Sequence, residues 1–448
     1  MLTECDVAIV GGGVAGCATA IALRNRRPLS IALIHKAETR LFPVGETLQP
    51  QARELAEKLG ILEELRRTPH LPSNGVCSAW GDSTLAYNDY LFKASGKGWL
   101  LDRAAFDLSL LDKARGGGVH VVDAAYSRLD SGADGRWLLS TRNGAAIRCR
   151  FVVDATGRRS AVAAGLGVPR IRFDELHAVY ALWDGRPEVF PHHTLVESVE
   201  SGWCYAAALP GERFVTAYFT DKAQIKANRL AQPDRLLPLL SRAPNVGRVL
   251  SASSKLAGTR VAVADSSMLD FAGSERGWLA VGDAASAYDP LSSQGIAKAL
   301  EGSLAAADAI DSWLRSGSGA VEAYCRNIES GFDQYLAQRH HYYGLESRWN
   351  KNPFWKQRQD WIGIHPDWVL RRSGLRKNIP NRIVSAEVLE QILAAFGGEA
   401  RRAHEAVRLV RNALQRRFSD HRLIQAMRYL VESGHLAVQA SGDGVFSV

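Results

Sequence analysis

Asp6-Val7-Ala8-Ile9-Val10-Gly11-Gly12-Gly13-Val14-Ala15-Gly16 is the stretch that decides the fold. Asp6 to Val10 contains a short apolar run of the kind that forms a strand buried on both faces. Ala15 to Leu23 is rich in alanine and reads as a helix. Between them lies a G-x-G-x-x-G turn made by Gly11, Gly13 and Gly16. Gly11 permits the tight turn, Gly13 lets the backbone approach a pyrophosphate, and Gly16 lets the helix pack closely on the strand. The start of the helix then offers free N–H groups and a positive dipole end to phosphates. A lone glycine pattern is weak evidence, but the strand–turn–helix context marks this one as a dinucleotide site.

Moving outward, Ser30 to Ile34 is the next strand. An acidic residue usually ends that strand and holds the adenosine ribose. Here the position is His35, followed by Lys36, with Glu38 nearby as a substitute acceptor. Helices are expected over Gln51 to Leu59, Phe106 to Ala114, Val321 to Arg339, Ala386 to Phe396 and Ala403 to Arg416, and strands over Arg150 to Val153 and Trp278 to Val281. Residues 75 to 95 are rich in Gly, Ser, Asn and aromatics and leave the nucleotide fold. Residues 170 to 260 hold β-type runs such as Phe214 to Phe219, which suggest an antiparallel sheet.

The 448 residues suffice for two or three domains, and an apolar fraction of 46% suits a chain that buries a real core. No apolar run approaches the ~20 residues of a membrane span. The N-terminus shows no export leader, and six cysteines are scattered without a C-x-x-C pair, so a cytoplasmic protein with reduced thiols and no metal site is expected. The net charge of +8 is concentrated late in the chain: from Arg339 onward there are 18 Lys and Arg against 10 Asp and Glu. That surplus suits an acidic partner or a solvated helical surface. No nucleic-acid-binding signature accompanies it.

Two further segments follow buried strands. Asp154-Ala155-Thr156-Gly157-Arg158-Arg159-Ser160 comes after Phe151-Val152-Val153, and Gly282-Asp283-Ala284-Ala285 comes after Leu279 to Val281. They resemble the D-A-T-G and G-D segments of flavoproteins with two dinucleotide folds, the p-hydroxybenzoate hydroxylase-like group. The resemblance implies FAD as cofactor, with Asp154 beside it and Asp283 on the ribityl chain. It also implies that Asp289-Pro290-Leu291-Ser292-Ser293-Gln294-Gly295-Ile296 lies near the flavin pyrimidine, so that Pro290, Gly295 and Ile296 contact the cofactor. Gly45-Glu46-Thr47-Leu48-Gln49-Pro50, Gly98-Trp99-Leu100-Leu101-Asp102-Arg103 through Asp107, and Gly202-Trp203-Cys204-Tyr205 are similar to strips of the tryptophan-halogenase-like flavoproteins. That likeness implies that Glu46 and Arg103 reach the cofactor. For Arg103 an ion pair with Asp107, four residues on, is the competing reading.

Halogenases of this group carry a Lys some 30 residues past the G-E strip and a Glu before the late Gly. Here the first place falls near Gly75 with no Lys, and Ser292 stands at the second. What remains is transfer of oxygen from reduced flavin to an electron-rich ring, which uses a proton acceptor. Glu46, Asp289 and the His192-His193 pair are the candidates. One branch of the group shares Ser78-Ala79-Trp80-Gly81, Tyr342-Tyr343-Gly344-Leu345-Glu346-Ser347-Arg348-Trp349 and Phe354-Trp355. It contains flavoprotein monooxygenases of quinohemoprotein amine dehydrogenase maturation. That resemblance implies hydroxylation of a tryptophan inside another polypeptide during tryptophylquinone biogenesis, with O2 and either NAD(P)H or a separate flavin reductase. The alternatives are a small-molecule aromatic or quinone hydroxylase and a non-catalytic assembly factor. The expected organisation is an FAD-binding domain of residues 1–74, 98–169 and 261–340, a substrate domain of 75–97 and 170–260, and a helical region of 341–448.

Overall fold

The computed structural model describes residues 2–36, 47–90, 96–187, 189–190, 192–250, 255–359, 364, 368–375, 379–414 and 418–439. The chain divides into two compact units, Met1–Val168 with Asp174–Gln359, and Pro169–Phe173 with Asp360–Val448.

The first unit is built on two large sheets. In the eight-stranded one, Leu2–Val10 lies between Ala146–Asp154 and Ile31–His35, with Trp278–Ala280 outside the former and His120–Asp123 outside the latter. All four of these pairings are parallel. Val7 to Val10 are at most 2% exposed, which is why this strand reads as a continuous apolar run. Helix Val14–Arg26 packs against the long helix Gly295–Ser316 through small residues, and Ser303 Oγ donates to the Ala15 carbonyl at 3.0 Å. Parallel strands present their carboxyl ends on one side, where open α/β sheets bind ligands. Here Gly11, His35, Ala155 and Val281 follow those ends.

The other large sheet has seven strands in the order Lys255–Val263, Leu176–Asp184, Arg213–Asp221, Gly202–Leu209, His193–Val199, Gly75–Ala79, Ala86–Asp89. It is antiparallel except where Gly75–Ala79 joins His193–Val199 in parallel. The antiparallel sheet expected from the sequence is present, and its one parallel pairing arises because an excursion from the nucleotide fold supplies two of its strands. Alternation along Leu176–Asp184 divides the sheet into two faces. Val179, Ala181 and Trp183 pack with Leu236 and Leu240 of helix Pro233–Arg242. Tyr180 and Leu182 share the opposite face with Trp203, Phe219, Tyr343 and Trp355.

The second unit has its own core, in which Leu389, Ile392 and Phe396 of Ala386–Phe396 meet Leu423, Met427 and Leu430 of Asp420–Glu432. Its three-stranded sheet places Val369–Arg372 between Arg401–Arg402 and Leu436–Gln439, so the region expected to be helical also contains strands. The helix Ala320–Gly344 runs unbroken across residue 340, and the two compact units divide at 359/360. Among the described residues, no helix is long and apolar enough to cross a membrane.

Candidate active site

A cleft of about 980 Å³ opens at the carboxyl ends of the parallel strands. This is near the top of the roughly 300–1,000 Å³ range usual for ligand pockets. At one end lies the glycine turn. Gly11 has φ +113°, and a Cβ there would sit 2.2 Å from the Ala155 carbonyl oxygen; a Cβ on Gly16 would sit 1.9 Å from the Gly11 carbonyl oxygen. Only glycine fits either place. Gly13 lines the cleft and begins helix Val14–Arg26, which has no side-chain cap and no acidic residue in its first turn. Its first N–H groups are thus left for an anion. His35 is packed against Gly12 and also lines the cleft, as do Lys36, Arg142 and Arg159. Cations stand here in place of the usual ribose carboxylate.

At the other end a second helix, Gly295–Ser316, starts with neither a side-chain cap nor an acidic first turn. Pro290, Gly295 and Ile296 line the cleft beside that start. Ser293, which precedes it, adopts a left-handed conformation at φ 49°, a strain of about 1–2 kcal/mol for a residue with a Cβ. Asp283 lines the cleft with Lys298 Nζ 3.3 Å from its Oδ1 and Arg158 Nε 3.8 Å from its Oδ2. Facing this end, Tyr180, Tyr205 and Phe219 of the seven-stranded sheet form an aromatic wall. Below it Thr47 and Thr194 share a 2.5 Å hydrogen bond.

The remaining candidates separate. Arg103 pairs with Asp107 at 3.2 Å and at the same time lines the cleft. Asp154, expected beside the cofactor, lies beneath the turn instead. Its carboxylate accepts the N–H groups of Thr156, Val162 and Ala163 at 2.9–3.0 Å and the Thr156 hydroxyl at 2.7 Å, which fixes the D-A-T-G loop. Gly16 likewise acts by packing rather than by lining the cleft. The histidine pair is outside the cleft lining, with His193 Nε2 2.7 Å from Asp89 Oδ1 at the far side of the sheet. Glu46 and Glu38 lie outside the described residues.

Asp289 borders the cleft at 1% exposure, fully engaged. Its Oδ1 accepts the Leu291 N–H at 2.9 Å, which caps the Pro290–Ser292 turn. Its Oδ2 accepts the Tyr343 hydroxyl at 2.7 Å and lies 3.4 Å from Arg339 Nε. Arg339 Nη2 is 2.8 Å from Asp174 Oδ2, so one buried guanidinium serves two carboxylates. Burial raises the proton affinity of Asp289, and Arg339 offsets this only in part. Burial acts the same way on Asp174, but Arg339 and Arg358 outweigh it and hold that carboxyl below its usual range. Tyr343 also accepts a 3.0 Å hydrogen bond from Trp203 Nε1. Arg339, Tyr180 and Phe219 carry no motif of their own, and sequence reasoning missed them; Tyr205 stood in the Gly202–Tyr205 strip without a role. Tyr343 stood in a quoted motif without a role.

Beside the wall, on the same face of the sheet, the Ser78–Gly81 and Tyr342–Trp349 motifs meet. Trp80 Nε1 donates to the Tyr342 carbonyl at 2.7 Å and the Gly81 N–H donates to Glu346 Oε2 at 3.1 Å. Glu346 is closed in by Ser198 Oγ at 2.6 Å and Arg348 Nη2 at 2.7 Å. The cleft as a whole fits FAD. It has an anion-accepting middle at one helix start, a second helix start to receive negative charge, and aromatic side chains opposite a planar ring system.

A family model described as "FAD binding domain" matches residues 4–324. LodB of Marinomonas mediterranea, named as an FAD-dependent oxidoreductase, is 27% identical over 359 residues, covering 79% of this chain and 96% of its own. Among solved structures, the flavin-dependent halogenase CmlS superposes with a TM-score of 0.72 at 18% identity, over 99% of this chain and 98% of that one. The peptidyl tryptophan dihydroxylase QhpG, essential for tryptophylquinone cofactor biogenesis, superposes with a TM-score of 0.67 at 24% identity, over 96% and 100%.

Proposed function

This chain belongs to the FAD-binding-domain family, as an FAD-dependent monooxygenase of halogenase-like build, and on that premise we propose that it hydroxylates the indole ring of a tryptophan held in another polypeptide. The observation that carries the reading is the lock between Trp80–Gly81 and Tyr342–Arg348. The motifs of the tryptophylquinone-maturation branch meet there and fix Tyr343, which holds Asp289 at the cleft. The likeness to a peptidyl tryptophan dihydroxylase, which runs beyond the family match into the C-terminal region, supports it.

In this reading residues 1–74, 98–169 and 261–340 hold the cofactor and residues 75–97 and 170–260 present the substrate. Bound reduced FAD supplies the oxygen atom, taken from O2. Gly11, Gly13, His35 and Arg103 receive its nucleotide half. Asp283, Pro290, Gly295 and Ile296 border its ring half. Tyr180, Tyr205 and Phe219 hold the indole flat and exclude water from the reacting face. Asp289, the cleft-lining carboxyl with raised proton affinity, accepts the ring proton, and Tyr343 and Arg339 orient it. The reductant is NAD(P)H or a separate flavin reductase. A cytoplasmic setting belongs to the same reading, and the free state of all six cysteines supports it.

The test compares kcat/KM for a tryptophan-containing precursor polypeptide of a tryptophylquinone enzyme with that for free tryptophan and a simple phenol. Preference for the polypeptide is expected. Preference for the phenol would assign the chain to small-molecule hydroxylation.

A further inference from the structure

Lys255–Val263 is the outermost strand of the seven-stranded sheet, and among the described residues it pairs on one side only, with Leu176–Asp184. It has nine residues with neither proline nor carboxylate. Natural edge strands are guarded by proline, charged side chains, shortness or bulges, and here the two charges, Lys255 and Arg260, both precede Val261. The register shift between Leu182 and Trp183 skips Ala257, so the one bulge of the edge strand lies in its first half, away from the Val261–Val263 end. At that end Val261 is 40% exposed and Val263 45%.

The backbone direction follows from one hydrogen bond. The Ala264 N–H donates to the Leu176 carbonyl at 2.9 Å, so Ala264 turns its polar groups inward. Alternation then turns those of Val263 and Val261 toward the open edge. The side chains between them share a face with the cleft wall, since Arg260 is paired with Tyr180 and Ala262 with Ala178. Tyr180 itself lines the cleft. The open edge is thus continuous with the substrate face of the sheet.

We propose that an extended segment of the polypeptide substrate adds to this edge as a further strand, hydrogen-bonded to Val261 and Val263, and presents its tryptophan on the Tyr180 face. The inference rests on the polypeptide reading above. A row of outward N–H and C=O groups is matched by another extended backbone and by no small aromatic molecule. Lys255 and Arg260 are the strand's only charges, so the segment that complements them is acidic. Self-pairing of two such strands would bring like charges together, which disfavours a second copy of this chain as the occupant.

The test uses the FAD-loaded full chain and, as probe, the tryptophan-containing precursor subunit of a tryptophylquinone enzyme. Val261→Pro and Val263→Pro each remove one outward N–H and leave the inward ladder intact. Each should raise the Kd for the subunit about tenfold, as expected for loss of one or two backbone hydrogen bonds, with FAD content and air reoxidation of the reduced flavin unchanged. Val263→Thr, which keeps the N–H and the β-branch, should bind as the parent does. Should a proline variant lose FAD, Arg260→Glu decides by the same rise in Kd. An unchanged Kd alongside normal hydroxylation of the subunit overturns the edge and leaves the polypeptide reading standing. A parent protein that neither binds nor hydroxylates the subunit, while hydroxylating a phenol, overturns both. A parent dimer that the proline variants convert to monomer, with Kd unchanged, overturns the proposal in favour of a self-interface.

Discussion

The hydroxyl of Tyr343 donates a 2.7 Å hydrogen bond to Oδ2 of Asp289, tying the helix Ala320–Gly344 to the turn beside the second helix start. Tyr343→Phe removes that donor and also the acceptor of Trp203 Nε1. A stability loss of about 1–3 kcal/mol is expected from the two unsatisfied groups, measured by denaturant unfolding with FAD content unchanged. The hydrogen bond lowers the proton affinity of Asp289 against the larger effect of burial. Its removal raises that affinity further. If ionised Asp289 accepts the proton, activity falls as pH drops through its pKa, and the variant's acid limb of kcat/KM moves to higher pH. An unmoved limb would remove Asp289 from the chemistry.

Gly13→Val tests the pyrophosphate end. Gly13 has φ −83° and ψ −172°, an extended conformation open to any residue, so the substitution adds bulk without backbone strain. Its side chain would stand in the cleft where the phosphates lie. FAD content should fall to near zero, with secondary structure by circular dichroism unchanged. A yellow variant with normal FAD content would remove this turn from the site.

The nucleotide half of the site was legible because its chemistry is local. Gly11 and Gly13 sit at a strand end and a helix start that periodicity and glycine spacing reveal, the resemblance to flavoproteins with two dinucleotide folds implied Asp283, Pro290 and Gly295, and the structure brings all five to one cleft. Asp154 follows a buried strand in the same way, but spacing cannot show that its four hydrogen bonds stay within its own loop. The substrate half was not legible. Tyr180, Tyr205 and Phe219 come from three strands and meet only through sheet register; the Gly202–Tyr205 strip gave Tyr205 no role, and nothing in the local sequence separates Tyr180 and Phe219 from core aromatics such as Trp183. Arg339 reads as one more surface cation of a helix of mixed charge until Asp174 and Asp289 are seen to enclose it.

No chlorination of free tryptophan is expected with reduced flavin, oxygen and chloride supplied. The Lys of the halogenases is absent near Gly75, a position that lies within a strand of the seven-stranded sheet, and Ser292 replaces their Glu. Mass spectrometry against a no-enzyme control decides it, and chlorotryptophan above that control contradicts the assignment.

Glu346→Gln should loosen the lock beside the aromatic wall by about 1–3 kcal/mol at neutral pH, since it discharges a buried carboxylate hydrogen-bonded by the part-exposed Arg348 and by Ser198. Burial alone would raise the Glu346 carboxyl, but hydrogen bonds from Arg348, Ser198 and Gly81 prevail and hold it below its ordinary value. A depressed carboxylate contributes stability above its unfolded pKa and loses it as pH falls through the folded one. The difference in Tm between parent and variant should therefore be full at neutral pH and shrink under acid, below the ordinary glutamate pKa. A difference that grows with acid would reverse the electrostatic account.

The central claim is that an atom of O2 is placed on a tryptophan in a partner polypeptide. Intact-mass analysis of a tryptophylquinone precursor subunit, after incubation with this enzyme, a reductant and oxygen, tests it most directly. The subunit should gain about 16 or 32 Da under ordinary oxygen and about 18 or 36 Da under ¹⁸O₂, with no label from ¹⁸O water, because the flavin delivers oxygen drawn from O2. An unchanged subunit mass, alongside hydroxylation of a free phenol under the same conditions, would contradict the account.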